Sequence, residues 1–262
     1  MKLLDGKTAV IYGAAGVIGS AVAKAFAKEG AKLILTGRTL NTLESLAGEI
    51  SQTGGLAEIA RVDALNSESV GSHLQKLIES NGKLDISFNL ISTSVGMGAR
   101  LTELSEEKFM AVAFSRVRSY FVTSTLAARI MQKQGWGVIL GLTAPNARLP
   151  QPNIGGFAIG GAAIEAFCRQ LALEVGPQGV RVVCLRTGGT SDSPVLQEVF
   201  SILAKVRGTT KGAVEKSEAE RTALKRAPLN AEVANAAVLM ASDYASAITA
   251  TVVNASCGEL VD

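Results

Sequence analysis

Three glycines at positions 13, 16 and 19 follow a short apolar run and open an alanine-rich stretch, Tyr12-Gly13-Ala14-Ala15-Gly16-Val17-Ile18-Gly19. Where such a trio joins a strand to a helix, the missing side chains let backbone N–H groups and the positive end of the helix dipole approach a pyrophosphate. The last glycine allows close packing of helix on strand. Gly13, Ala15, Gly16, Ile18 and Gly19 are therefore candidate contacts of a dinucleotide, the plainer alternative being a packing turn without a ligand. The second apolar run ends in Thr36-Gly37-Arg38, without the carboxylate that would hold the ribose hydroxyls of NAD. A guanidinium there attracts a 2′-phosphate, so Arg38 favours NADP(H) over NAD(H); the alternative is a surface charge.

The elements that must position these residues alternate β-branched apolar runs with stretches of helical periodicity. Strands are expected at 8–12, 32–36, 57–62, 85–91, 138–142, 181–185 and 251–254. Helices are expected at 16–29, 42–52, 67–81, 105–133, 153–175 and 231–242. The strands read mostly as continuous apolar runs, as burial on both faces requires. The fold class is α/β, a Rossmann-type doubly wound parallel sheet of about seven strands with helices on both faces. No repeat or low-complexity linker marks a boundary, so residues 1–262 read as one domain. The charged segment 191–228, carrying Lys205, Lys211, Lys216, Arg221, Lys225 and Arg226, breaks the rhythm; it reads either as a substrate lid or as a solvated helical pair.

Composition narrows the function classes. A content of 47% hydrophobic residues supports a substantial core. The balance of 26 Lys+Arg against 23 Asp+Glu, with no long block of either sign, speaks against a nucleic-acid partner. Cys168, Cys184 and Cys257 lie in apolar stretches with no C-x-x-C pair and no nearby histidine, so they read as reduced core residues and no metal site is expected. The longest uncharged run, 8–23, is too short for a membrane span and contains glycines, and the first apolar run is too short for a secretory signal. A cytoplasmic location without membrane contact is the expectation. The single histidine, His73, reads as a surface residue rather than a base.

With these landmarks the chain resembles the short-chain dehydrogenase/reductase family along essentially its whole length. Besides the glycine turn, the resemblance rests on Val62-Asp63-Ala64 after the third strand and Leu84-Asp85-Ile86-Ser87-Phe88-Asn89 for the fourth. It continues in Val180-Arg181-Val182-Val183-Cys184-Leu185, with Gly188 beyond, and in the tail from Ala241-Ser242-Asp243 to Cys257-Gly258. It implies that Asp63 reads the adenine and that Ala64, Asn89 and Gly188 also line the cofactor. It further implies a homo-dimer or homo-tetramer built through the helices at 105–133 and 153–175, whose apolar stripes suit association. Several motifs depart from the family. The turn is spaced G-x-x-G-x-x-G, the family's N-N-A-G is Asn89-Leu90-Ile91-Ser92, and its P-G pair is Thr187-Gly188.

The family's catalytic Asn, Ser, Tyr and Lys align with Arg116, Ala144, Phe157 and Gly161. The three tyrosines, Tyr12, Tyr120 and Tyr244, are followed four residues later by Gly16, Ser124 and Ile248, so no Y-x-x-x-K exists anywhere in the chain. Reduction of a carbonyl by hydride leaves an alkoxide that needs an oxyanion donor and a proton source tuned toward neutrality. Phe157 keeps the ring and lacks the acid, Gly161 lacks the cation, and Ala144 lacks the hydroxyl. The catalytic residues are therefore unknown.

Arg116 has four readings: receptor for an anionic substrate, stabiliser of a developing charge, partner of an acidic neighbour, or interface residue. Its high pKa makes it a poor proton donor. Thr143 should point away from the site by strand alternation. Pro145-Asn146-Ala147-Arg148, Gln151 and Asn153 are either replacement polar groups or ordinary loop residues. Two functions compete: an NADP(H)-binding oxidoreductase with a non-standard active site and unknown substrate, and an inactive relative that binds a dinucleotide or metabolite or serves as a partner subunit.

Overall fold

The strand β1 (Thr8–Tyr12) is buried at every position, because its run Thr-Ala-Val-Ile-Tyr places apolar side chains on both faces. Around it the computed structural model, which describes residues 2–91 and 99–261, arranges β2 (Lys32–Gly37), β3 (Leu56–Arg61), β4 (Ile86–Asn89), β5 (Gly137–Thr143), β6 (Val180–Arg186) and β7 (Thr251–Asn254). All pairings are parallel, in the order β3-β2-β1-β4-β5-β6-β7. The winding reverses between β1 and β4, the topological switch point at which open sheets of this kind hold ligands.

The helices are α1 (Val17–Lys28), α2 (Leu40–Gln52), α3 (Ser67–Asn81), α4 (Glu106–Gln134), α5 (Gly156–Val175), α6 (Pro194–Arg207), α7 (Lys211–Glu220) and α8 (Asn230–Ala241). Val22 and Phe26 of α1, Leu43 of α2 and Ala237 of α8 belong to one apolar cluster. Leu74 of α3, Tyr120 of α4 and Ile164 of α5 belong to the cluster on the other face. The expected architecture, a doubly wound parallel sheet covered on both faces, is therefore present. No helix among the described residues is long and apolar enough to cross a membrane.

Several expectations need correction. β3 occupies 56–61 rather than 57–62 and is an edge strand whose side chains are all exposed or half-buried, with Leu56 66% exposed. The expected strand 85–91 is confined to Ile86–Asn89. At its start the buried Asp85 carboxylate takes the Thr8 N–H at 2.8 Å, the Trp136 indole N–H at 2.9 Å and an ion pair with Lys83 at 3.1 Å. α5 begins three residues later than expected, because Asn153 (φ 64°) and Gly155 (φ 59°) leave the right-handed region.

His73 is half-buried on α3, not a surface residue; its Nε2 has no hydrogen-bond partner, and burial, then Lys76, lowers its pKa. Of the three unpaired cysteines, Cys257 is partly exposed at φ 57° rather than part of the core. The segment 191–228 forms α6 and α7, which pack on each other through a small cluster of Phe200, Ala204 and Val214.

Candidate functional site

The glycine turn is held by geometry that only glycine tolerates. Gly13 adopts φ 76°, and its N–H and that of Ala14 donate to the Thr36 carbonyl at 3.1 and 3.2 Å. A Cβ on Gly19 would run into the carbonyl oxygens of Gly13 and Ala14, which presses α1 onto the turn. Gly16 caps α1 without a side-chain acceptor, and the first intrahelical bond is from the Ser20 N–H to the Gly16 carbonyl at 2.8 Å. The preceding N–H groups of the first turn thus have no intrahelical acceptor. Ala15, Gly16 and Val17 are exposed, so this electropositive end faces outward.

Arg38 is exposed one residue beyond β2 and forms no ion pair among the described residues. Asp63 is exposed beyond β3; its backbone N–H donates to Ser69 Oγ at 3.1 Å and its Oδ1 accepts from the Leu65 N–H at 3.0 Å. Ala64 beside it is buried.

Asn89 differs: its amide is buried and already engaged, donating to Thr123 Oγ1 at 2.9 Å and Ser119 Oγ at 3.4 Å while Oδ1 accepts from the Ile91 N–H at 2.9 Å. It ties the end of β4 to α4 and keeps no spare side-chain donor for a ligand. Ser92, the last residue of the altered N-N-A-G motif, lies outside the described residues. Gly188 is buried beyond β6, with Glu259 Oε2 2.5 Å from where a Cβ would stand.

The four residues aligned with the family's tetrad are brought together by close helix packing. A Cβ on Gly156 would meet the Phe109 carbonyl oxygen at 2.6 Å, and one on Gly160 the Ala113 carbonyl oxygen at 3.0 Å, so the backbones of α5 and α4 nearly touch. One turn on, Arg116 reaches across. Its Nη1 donates to the Phe157 carbonyl at 3.1 Å, its guanidinium carbon lies 4.2 Å from the Phe157 ring centroid, and Nη1 is 3.9 Å from where a Cβ on Gly161 would stand. Ala147, whose N–H donates to the Ala144 carbonyl at 2.9 Å, closes this wall with its Cβ 3.3 Å from the same point on Gly161.

Arg116 is only 4% exposed, no carboxylate pairs with it among the described residues, and its Nε has no hydrogen bond. Burial lowers its pKa. Asn146 Oδ1, also buried, likewise lacks a donor.

Directly behind this wall lies a network that the sequence reading missed. Arg186 (1% exposed) donates from Nε and Nη2 to the two oxygens of Glu165 (2% exposed) at 2.9 and 2.8 Å, and Thr143 Oγ1 donates to Glu165 Oε1 at 2.9 Å. Thr143 thus does point away from the open end of the site, and it has a structural partner there. The available signal was the single acid, Glu165, on the otherwise uncharged buried face of α5.

Beside Gly188 a cleft of about 980 Å³ is lined by Gln151 and Asn153, by Gly189, by residues of the 191–228 segment and by Glu259. Burial, with Glu218 nearby and Arg221 opposing, raises the Glu259 pKa. A carboxyl that is easier to protonate when folded contributes stability below its ordinary value, and that contribution is lost as pH rises through the folded value. Wild-type protein should therefore lose thermal stability relative to Glu259→Gln as pH climbs from 4.5. Parallel melting curves would count against this environment.

Comparison with known proteins agrees with this geometry. A family model described as "Enoyl-(Acyl carrier protein) reductase" matches residues 13–259. The chain is 29% identical over 249 residues to "Short chain aldehyde dehydrogenase 1" of Euphorbia lathyris, covering 95% of this chain and 86% of that protein. It is 28% identical over 255 residues to the 7alpha-hydroxysteroid dehydrogenase of Escherichia coli K12, covering 97% and 94%. Among solved structures, a 7 alpha-hydroxysteroid dehydrogenase complexed with NADH and 7-oxo glycochenodeoxycholic acid superposes with a TM-score of 0.85 at 26% identity, over 99% of this chain and 96% of that one. An NAD+-bound xylitol dehydrogenase shares the fold, with a TM-score of 0.90 at 22% identity over 97% and 99%. The chain belongs to the short-chain dehydrogenase/reductase family of oxidoreductases.

Proposed function

We propose that this protein is an NADP(H)-dependent oxidoreductase with an atypical active site, in which Arg116, Ala144, Phe157 and Gly161 stand where relatives carry Asn, Ser, Tyr and Lys. The observation that carries the cofactor reading is the uncapped, outward-facing start of α1 under the Gly13–Gly19 contact, with Arg38, exposed and without an ion pair among the described residues, at the adjacent strand end. These residues fit a dinucleotide. The N–H groups near Ala15 and Ile18 would hold the pyrophosphate beside Gly16, whose own N–H donates to the Gly13 carbonyl at 3.1 Å, Asp63 and Ala64 would hold the adenine end, and the backbone near Asn89 and Gly188 the nicotinamide end. The two solved relatives named above hold NAD or NADH; Arg38 is what favours the phosphorylated cofactor here. The cofactor supplies hydride. The protein's residues position it, shield the reacting atoms and hold charge, and the α6–α7 segment acts as a lid over the cleft.

The test is deuterium transfer from 4-deuterated NADPH to a panel of carbonyl compounds by homogeneous protein. Transfer that disappears in Gly13→Val and Arg38→Ala supports the reading. Tight NADPH binding with no transfer to any compound would favour the second reading, a non-catalytic relative. That reading draws on a specific feature: none of the side chains at 116, 144, 157 and 161 is a proton donor suited to neutral pH.

Self-association through α4 and α5 belongs to the same proposal. Met110, Phe114 and Phe121 of α4 and Ile159 of α5 expose apolar surface, which suits a homo-dimer or homo-tetramer. The three unpaired thiols are consistent with a cytoplasmic location.

A further inference from the structure

A guanidinium removed from water without a counter-charge is among the costliest arrangements a folded chain can carry. Arg116 is in that position. It is 4% exposed, its one hydrogen bond among the described residues goes to the neutral Phe157 carbonyl, and its guanidinium carbon lies 4.2 Å from the centroid of the Phe157 ring. The buried carboxylate of the neighbourhood, Glu165, is fully occupied by Arg186 and Thr143. Arg181, by contrast, spreads three bonds over the carbonyls of Ile248, Met240 and Ser242, with Asp243 near enough to favour its charge. Arg116 instead keeps a buried Nε–H with no acceptor, and Asn146 Oδ1, beside the Ala147 that packs on Gly161, is buried without a donor.

The wall is not sealed, since Ala144, Asn146 and Phe157 are each half-exposed. Ala144 and Gly161 also leave no side-chain group there to compete for an approaching anion.

We propose that Arg116, held over the Phe157 ring and by its carbonyl, is the receptor for the carboxylate of a small anionic substrate. The inference rests on the oxidoreductase reading for the word substrate; the anion site itself stands without it. A carboxylate suits the position because it is planar, carries a permanent charge and can take two N–H donors from one edge of a guanidinium. The Phe157 carbonyl, bonded to Nη1, and the ring 4.2 Å from the guanidinium carbon anchor that fork. An arginine remains charged across the ordinary pH range, so the site selects for charge at any working pH.

The experiment uses the intact, cofactor-free protein with acetate and acetamide as probes of equal size and unequal charge. In 15N-labelled protein the Arg116 Nε–H resonance, assigned by its loss in Arg116→Lys, should shift on titration with acetate. Acetamide should be at least about tenfold weaker, the worth of one charge-assisted hydrogen bond. Arg116→Met should abolish the acetate response measured by saturation transfer at the probe's methyl signal. Equal responses to the two probes, or an Arg116 resonance indifferent to acetate, would overturn the proposal. Should Arg116→Met fail to fold, the wild-type comparison of the two probes decides alone. Failure of NADPH binding with the acetate response intact would overturn the cofactor reading and leave the anion site standing.

Discussion

Replacing Glu165 with alanine is expected to cost about 3–5 kcal/mol of stability, because it removes the carboxylate that takes two charge-assisted hydrogen bonds from the buried Arg186. Arg186 is 1% exposed and is the last residue of β6. The same substitution removes the acceptor of the Thr143 hydroxyl. Thr143→Val should cost less, about 1–3 kcal/mol, since it leaves the ion pair in place and removes one neutral donor. Replacing both charges, as in Glu165→Leu with Arg186→Met, should recover most of the loss, because well-packed apolar residues often substitute for a buried pair without net cost. Urea unfolding with a common slope measures all three. A Glu165→Ala midpoint within about 1 kcal/mol of wild type would show that water or local rearrangement screens Arg186.

Gly19→Val should abolish tight dinucleotide binding while leaving the fold largely intact. The added carbons collide with the Gly13 and Ala14 carbonyl oxygens, which are backbone and cannot swing aside as a flexible side chain would. Relief requires α1 to lift from the turn, and its unpaired N–H groups then no longer converge. Losing two charge-assisted hydrogen bonds of about 1.5 kcal/mol each corresponds to roughly a hundredfold weaker binding. The stability cost should stay near the about 1–3 kcal/mol typical of local overpacking. Isothermal titration and chemical unfolding of the same preparation separate the two effects. Unchanged affinity would mean that the turn is a packing device alone.

The parts of this molecule that were legible in its sequence are those specified by local pattern. β1, β7 and α3 appear at their expected limits, the last because Asn66 accepts the Ser69 N–H at 2.9 Å and Gly82 ends the helix at φ 74°. The glycine turn was legible for the same reason, since its chemistry is contained in a few consecutive residues.

What was not legible depends on neighbours distant in the chain. β3 is exposed because β2 is its one strand neighbour, a fact of sheet order that its own apolar residues do not encode. His73 is half-buried because of what packs over α3, and Asn89 is spent on Ser119 and Thr123 of α4. The Glu165–Arg186 pair joins the middle of a helix to a strand end, and Glu259 reaches Gly188 from the tail. Neither pairing has a motif to announce it. Alignment alone suggested Arg116 as a tetrad position, and its burial without a carboxylate partner emerged only from the packing of α4 on α5.

Binding of the dinucleotide is the claim on which the rest depends, and calorimetric titration of the purified chain with NADPH and NADH tests it most directly. Heat is preferable to fluorescence, because Trp136 lies at the N-terminal end of β5 while the glycine turn follows the C-terminal end of the parallel strand β1. Wild-type protein is expected to bind NADPH at least about tenfold more tightly than NADH, with Arg38→Ala removing the difference. Absence of binding by either nucleotide would contradict the account.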